Sequence, residues 1–283
     1  MVITVSGSTG TIGSELVRLL SKAGAAARAL YRNPAKMQTL PGVVWTQADL
    51  SDTRLLEPAI AGTTRLFLLT DNQTGFAKLQ IQILRAAESL GVAHVVKLSA
   101  LGASDHSKSW IGREHHEVEE ALAKSSMQWT ILRPHAFMQN WLGDLAQSVR
   151  DRGVIESPIG DGRVPFIDAR DIAAVAAEIL LRPDPHAGKK YVLTGGEAVG
   201  FNDIAQVLGV TYKPLTMDEA RAQLESKGVP RDQIDAMLAL SAYQKAGGPT
   251  AQVSDAVARI LGRPPRTIRE FFKDYAISPN RPL

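Results

Sequence analysis

Three glycines spaced three apart, Gly7, Gly10 and Gly13, follow a short apolar run, Val2 to Val5. They precede Leu16, Val17 and Leu20, which share one helix face. Strand, glycine turn and helix in that order open a nucleotide-binding βαβ unit. The residue types suit the chemistry. A helix N-terminus offers free amides and the positive end of its dipole to an anion. Glycine at 7 and 10 permits the tight turn and the approach of backbone to pyrophosphate, and Gly13 lets the helix lie against the strand. Ser8, Thr9 and Thr11 add hydroxyl donors. The cofactor-binding set read from this stretch is Gly7, Thr9, Gly10, Thr11, Ile12 and Gly13. The same spacing also serves as a purely structural turn.

A second strand, Ala26–Tyr31, leads to Arg32, with Lys36 four residues on and no carboxylate beside them in the sequence. An acid here would hold the ribose 2′-hydroxyl of NAD, whereas a guanidinium accepts the 2′-phosphate of NADP, so NADP(H) is expected over NAD(H). A solvated loop arginine is the plainer alternative. Strand three, Val43–Gln47, closes on Asp49 and Leu50, which either contact adenine or lead into the next helix cap. Strand four, Arg65–Thr70, puts Thr70 and Asn72 at its carboxyl end. Strand five, His94–Ala100, does the same for Ser99. In a doubly wound sheet that edge faces the ligand, so Thr70, Asn72 and Ser99 are candidate neighbours of ribose or nicotinamide.

The helix Trp110–Leu122 carries Ile111, His115, Val118 and Leu122 on one stripe. His115 is therefore inward-facing, either as a satisfied half-buried histidine or as a polar group aimed at the nicotinamide. His116 is rotated by about 100° and is expected to face solvent. Adjacent helix positions diverge and no third ligand is evident, so no metal site is expected. After strand six, Gln128–Leu132, a helix-like run from His135 to Leu142 supplies Phe137, Asn140 and Trp141. With Phe166 they are the candidate substrate pocket, although the same side chains also suit a core, Trp141 most of all.

These residues need a scaffold, and the alternation of strands and helices to about residue 150 predicts one. It is an α/β fold with a doubly wound (Rossmann) parallel sheet, residues 1–150, completed by a strand near 190–194. Residues 151–283 form a smaller, mostly helical lobe. Its expected elements are strands Gly153–Glu156 and Val164–Ile167 around the Gly160-Asp161-Gly162 turn and a helix Ala169–Leu181 after Asp168. Further helices are expected at Phe201–Leu208, Met217–Lys227, Arg231–Ala242, Thr250–Leu261 and Thr267–Ala276.

The 283 residues contain no cysteine, which excludes disulfides, thiolate nucleophiles and cysteine-bound metals. Hydrophobic residues make up 45% and charged residues 22%, as in ordinary globular proteins. No apolar run approaches the roughly 18 residues of a membrane span. The net charge of +3 comes from scattered basic residues, which argues against nucleic acid as a partner. No basic leader precedes the first strand, so a cytoplasmic protein is expected, as a monomer or homodimer.

Together, Val5–Gly13, Tyr31–Pro34, Ala48–Leu50, Lys97–Ser99, Gly112–Leu122, Trp129–Pro134, Phe137–Asn140, Gly162–Asp171 and Gly262–Phe271 resemble the NmrA-like branch of the atypical short-chain dehydrogenase/reductases. That resemblance implies an NADPH-dependent reductase of a small aromatic acceptor (a quinone, azo or triphenylmethane dye) without flavin. It equally admits a non-catalytic NADP(H)-binding regulator acting through a protein partner. The wider superfamily uses a Tyr-x-x-x-Lys pair for proton exchange. Here Ile111 falls where the tyrosine would stand and His115 where the lysine would. Ordinary alcohol–ketone chemistry is therefore not expected. An electron-poor acceptor takes hydride with little pre-protonation, and His115 and Ser99 remain the catalytic candidates.

Overall fold

The computed structural model describes residues 1–278. The chain divides into two compact units, Met1–Pro134 with Ala169–Val192, and His135–Asp168 with Leu193 onward. This differs from a single boundary at 150. The chain leaves the first unit after Pro134, and the segment 169–192 returns to it.

The first unit contains β1 (Ile3–Val5), α1 (Thr11–Lys22), β2 (Ala27–Tyr31), β3 (Val43–Gln47), α2 (Thr53–Ile60), β4 (Arg65–Leu68), α3 (Phe76–Ser89), β5 (His94–Leu98), α4 (Trp110–Ala123), β6 (Gln128–Pro134), α6 (Ala169–Leu181) and β9 (Lys189–Leu193). The seven strands form one sheet in the order β3-β2-β1-β4-β5-β6-β9. Pairing is parallel from β3 through β6, with Ile3 opposite both Ala27 and Arg65. The expected doubly wound sheet and its late strand are both present. Leu16, Val17 and Leu20 of α1 are fully buried, and α1 packs with α6. Leu66, Leu68, Val95 and Ile131 pack against apolar residues of α2, α3 and α4. Such near-continuous apolar strands belong to a parallel sheet covered by helices.

Strand order reverses between β1 and β4, which is where a doubly wound sheet opens its ligand crevice. β4 ends two residues earlier than expected, because the Leu69 amide bonds to the Ser6 hydroxyl at 2.9 Å instead of continuing a ladder. Thr70 consequently lies in the loop beyond the strand.

The second unit contains α5 (Asp144–Arg152), β7 (Val154–Ser157), β8 (Arg163–Val164), β10 (Val199–Gly200), α7 (Phe201–Leu208), β11 (Thr211–Pro214), α8 (Met217–Ser226), α9 (Arg231–Ala246), α10 (Ala256–Leu261) and α11 (Ile268–Asp274). The short strands flanking the Gly160–Gly162 turn do not form a hairpin. β7 pairs in parallel with β11, and β8 pairs antiparallel with β10. The run from His135 to Leu142 is helical only as a 3₁₀ turn, Met138–Trp141. The expected helix from Thr250 is broken as well, with a 3₁₀ turn, Gly248–Ala251, separate from α10. The core is aromatic, with Trp141 against Phe166, Phe201 and Phe272 at centroid distances of 5.9, 5.3 and 5.5 Å.

Candidate functional site

The three glycines are needed for different reasons. Gly7 has φ +64°, and a Cβ there would sit 3.0 Å from both Cγ and the carbonyl oxygen of Leu69. A Cβ on Gly13 would lie 2.1 Å from the Gly7 carbonyl oxygen, so only glycine lets α1 start against the turn. Gly10 differs. Its Cβ would meet only the Gly7 oxygen, at 3.4 Å, and its φ is −85°. Nothing in the protein demands glycine at 10, and the space beside it is open. Gly10 is also the N-cap of α1 and brings no side-chain cap, so among the described residues the first-turn amides have no capping side chain as acceptor. An open cradle at an uncapped N-terminus, beside the strand-order reversal, fits the pyrophosphate of a dinucleotide.

Around the cradle the expected residues have different fates. Thr9 and Thr11 stay accessible, while Ile12 is 4% exposed and can offer only its backbone. The Ser8 hydroxyl is not free for a ligand, since it donates to the Leu30 carbonyl at 2.5 Å and ties the turn to β2. Ser6 ties the turn to β4 through the carbonyls of Phe67 and Leu69. Arg32 is two-thirds exposed just past β2, but a carboxylate does stand beside it. Nη2 lies 2.5 Å from Asp71 Oδ2, a residue 39 positions on that the reversal of strand order brings alongside. Nε and Nη1 of Arg32 make no hydrogen bond among the described residues, so guanidinium capacity remains for a phosphate. Lys36 and Asn72 are exposed, and Leu50 packs on the core. Asp49 turns back on Ser51, whose hydroxyl and then backbone amide hold its carboxyl below the usual range, and the cap of α2 is Asp52. Thr70 accepts from the buried amide of Gln80 at 2.7 Å.

A buried polar cluster joins α4 to β6, β9 and the residue just after β5. Glu119, with a fully buried side chain, accepts from Ser99 Oγ at 2.6 Å, from Arg133 at 2.8 and 2.5 Å, and from Lys190 Nζ at 3.0 Å. Burial pushes this carboxyl up, but the Arg133 and Ser99 hydrogen bonds, the Arg133 charge and Lys190 together hold it below the carboxylate range. Ser99 thus reaches the expected strand end with its hydroxyl committed to Glu119. His115 is 4% exposed, on the inward stripe as expected. Its Nδ1 lies 3.1 Å from Lys97 Nζ, and its ring sits 4.7 Å from Phe76. Burial, then the Lys97 charge, keeps His115 neutral, far below its ordinary value. Lys97 is itself fully buried, and burial lowers it to about 7 against the pull of Glu119. His116 is half-buried, not solvated, with Nδ1 enclosed and unpaired.

In the second unit a cavity of about 250 Å³ is lined mainly by Met138, Phe166, Val199, Pro264, Pro265 and Ile268, with Glu197 and Arg266 also contributing. Of the four expected pocket residues, only Phe166 lines it. Trp141, 1% exposed, is core behind it, while Phe137 is half-buried and Asn140 exposed.

The sequence of residues 1–272 matches the model of the NmrA-like family. The chain belongs to that family. It is 37% identical to the NAD(P)H azoreductase of Xenophilus azovorans, over 97% of this chain and 98% of that one. It is 32% identical to quinone oxidoreductase 2 of Escherichia coli, over 95% and 96%. The crystal structure of the Escherichia coli NADPH-dependent quinone oxidoreductase complexed with NADPH is similar with a TM-score of 0.86, at 30% identity over 98% of this chain and all of that one.

Within this NmrA-like chain, reasoning from sequence missed Lys97, Glu119, Arg133 and Gln80. Lys97 breaks an otherwise apolar strand, and Glu119 shares the helix face of Val118 and Leu122, so both carried a signal. A charge at a position patterned for burial is never neutral in cost. The pairing of Arg32 with Asp71 carried none, because it depends on strand order.

Proposed function

We propose that this oxidoreductase uses NADPH to reduce flat, electron-poor aromatic acceptors, a quinone or an azo compound. The observation that carries the reading is the pairing of Ile111 with a neutral, buried His115 where a strong proton-exchange pair would otherwise stand. Such a site suits acceptors that take hydride before a proton. The Gly7–Gly13 cradle would hold the pyrophosphate, and Arg32, assisted by Lys36, would hold the 2′-phosphate. When bound, NADPH supplies the hydride. His115 would offer a proton afterwards, and the Glu119 cluster would hold Ser99 and Arg133 at the ends of β5 and β6. The apolar lining of the second unit's cavity, with Phe166 in it, matches an aromatic ring in character. Similarity to an azoreductase and a quinone oxidoreductase over nearly the whole chain supports the same substrate class.

The test is NADPH oxidation by the pure protein against quinones, azo dyes and triphenylmethane dyes. Acceleration by quinones or azo dyes is the expected result. Tight NADP(H) binding with no acceleration across the panel would favour a sensor of cofactor state over an enzyme.

A further inference from the structure

Lys97 is a costly residue where it stands. Its side chain is fully buried on β5, and among the described residues its ammonium bonds only to the Leu98 carbonyl and to Nδ1 of His115. The nearest carboxylate, Glu119, is taken up by Ser99, Arg133 and Lys190. An apolar side chain would fill the space at lower cost. Building on the reductase reading, we propose that Lys97 is a positioning residue that fixes the tautomer of His115, making Nε2–H the proton donor to the reduced acceptor.

The geometry follows from donor counting. An ammonium has three donors and no acceptor, so the ring nitrogen facing it must offer a lone pair. With Nδ1 as acceptor, the proton of the neutral ring resides on Nε2. That nitrogen makes no hydrogen bond among the described residues, and it is absent from the enclosed, unpaired side-chain atoms, which leaves it as the ring's open position. The ring cannot easily turn away. Phe76 packs on it, and the neighbouring Glu114 grips the amides of Gly75 and Ala77 at 2.7 and 2.9 Å, locking α4 to the start of α3.

After hydride arrives, the acceptor carries an extra electron pair on oxygen or nitrogen. His115 gives it the Nε2 proton while Nδ1 takes a proton from Lys97, whose N–H bond breaks to leave a neutral amine. Solvent then protonates Nε2 at the ring's open position while Nδ1 returns its proton to the amine, which restores the Lys97 ammonium and the Nε2–H tautomer. The ring stays neutral before and after, and no proton is left unaccounted for. Of the charged groups packed nearby, Glu119 on α4 acts on Lys97, and it is in turn bonded by Arg133 on β6 and Lys190 on β9, while Glu114 and His116 flank His115 along α4. The lysine lies near neutrality because of burial, so it can surrender a proton that an ordinary lysine would keep.

Long-range ¹H–¹⁵N NMR of the cofactor-free protein at pH 6 should show His115 with hydrogen on Nε2. Hydrogen on Nδ1 would overturn the proposal whether or not the protein turns over. In the kinetic arm, kcat should fall as pH rises through about 7. Lys97→Met should lower kcat about 10- to 100-fold and flatten that limb, with the Kd of NADPH within about twofold. Lys97→Arg, still a donor, should restore the Nε2–H tautomer and part of kcat while moving the limb to higher pH. Equal losses in both variants with the limb in place would mean a structural role and would overturn the proposal. If Lys97→Met does not fold, the tautomer in the parent protein and the Lys97→Arg profile still decide. An Nε2–H tautomer in a protein that reduces no acceptor would overturn the reductase reading and the proton delivery with it, leaving only the pairing.

Discussion

Arg32 shares one guanidinium nitrogen with Asp71 at 2.5 Å, and both side chains are about two-thirds exposed. A solvated pair of this kind contributes little to stability, on the order of 0–1 kcal/mol. Its importance is for the ligand. The Asp71 carboxylate stands beside the nitrogens that would receive a 2′-phosphate, and it repels that dianion. Asp71→Asn is expected to tighten NADPH by about 2- to 5-fold and leave NADH unchanged. Titration calorimetry with both cofactors checks it, and equal gains for the two would remove Arg32 from the phosphate.

The reverse substitution acts on the same contact. Arg32→Glu removes a charge-assisted phosphate contact and installs a second repelling carboxylate. NADPH affinity should fall by roughly 10- to 100-fold, with NADH affected much less. An equal loss for both would identify Arg32 as a surface residue with no role in choosing the cofactor.

Gly10 and Gly13 separate folding from binding. Gly13→Ala would drive a methyl to 2.1 Å from the Gly7 carbonyl, a backbone clash that cannot be relieved by a rotamer change, so the melting temperature should drop. Gly10→Ala places its methyl in open space, so thermal unfolding should move little. It fills the approach to the cradle, however, and NADP(H) binding should weaken by about 10-fold or more. A Gly10→Ala protein that binds as the parent does would place the pyrophosphate elsewhere.

These two glycines also show what the sequence could carry. Spacing and the flanking periodicities sufficed for β1, the turn and α1, because strand, cradle and helix are set by neighbours within a dozen residues. The same local logic put His115 on the buried stripe of α4. It failed where partners come from distant strands. Asp71 reaches Arg32 only because β4 follows β1 across the sheet, and Ser99 meets Glu119 only once α4 packs over β5. In the second unit, β7 and β11 lie more than 50 residues apart, so no local pattern distinguished their parallel pairing from a hairpin.

Glu119 holds the cluster together, so removing its charge should cost more than removing any one partner. Glu119→Gln leaves Arg133 and Lys190 without a counter-ion in partly buried positions and is expected to destabilise the fold by about 3 kcal/mol or more. Ser99→Ala deletes one hydrogen bond to the same carboxylate, at about 1–3 kcal/mol, with kcat within a few-fold of the parent. Urea unfolding and steady-state kinetics on both variants provide the check. A collapse of kcat in a stable Ser99→Ala protein would return Ser99 to direct chemistry.

Two further buried histidines are expected to contribute to the acid limit of the fold. His94 donates from Nε2 to Thr130 Oγ1 at 2.9 Å, since that hydroxyl's own proton goes to the His186 carbonyl. His135 accepts from the Ala136 amide at Nδ1 and donates from Nε2 to the Thr250 carbonyl. The His135 ring is therefore satisfied only when neutral, and burial lowers both histidines to about 4, from an ordinary value of 6.5. Between those values the unfolded chain binds more protons than the native one, so stability rises with pH through that window and is lost as pH falls from 6.5 towards 4. The urea midpoint should therefore decline steadily from pH 7 to pH 4.5. His135→Gln should shallow that slope even if it lowers the midpoint at pH 7, because glutamine takes up no proton. A slope unchanged in both His135→Gln and His94→Gln would assign the acid limit to other groups, the buried His115 or the carboxylates.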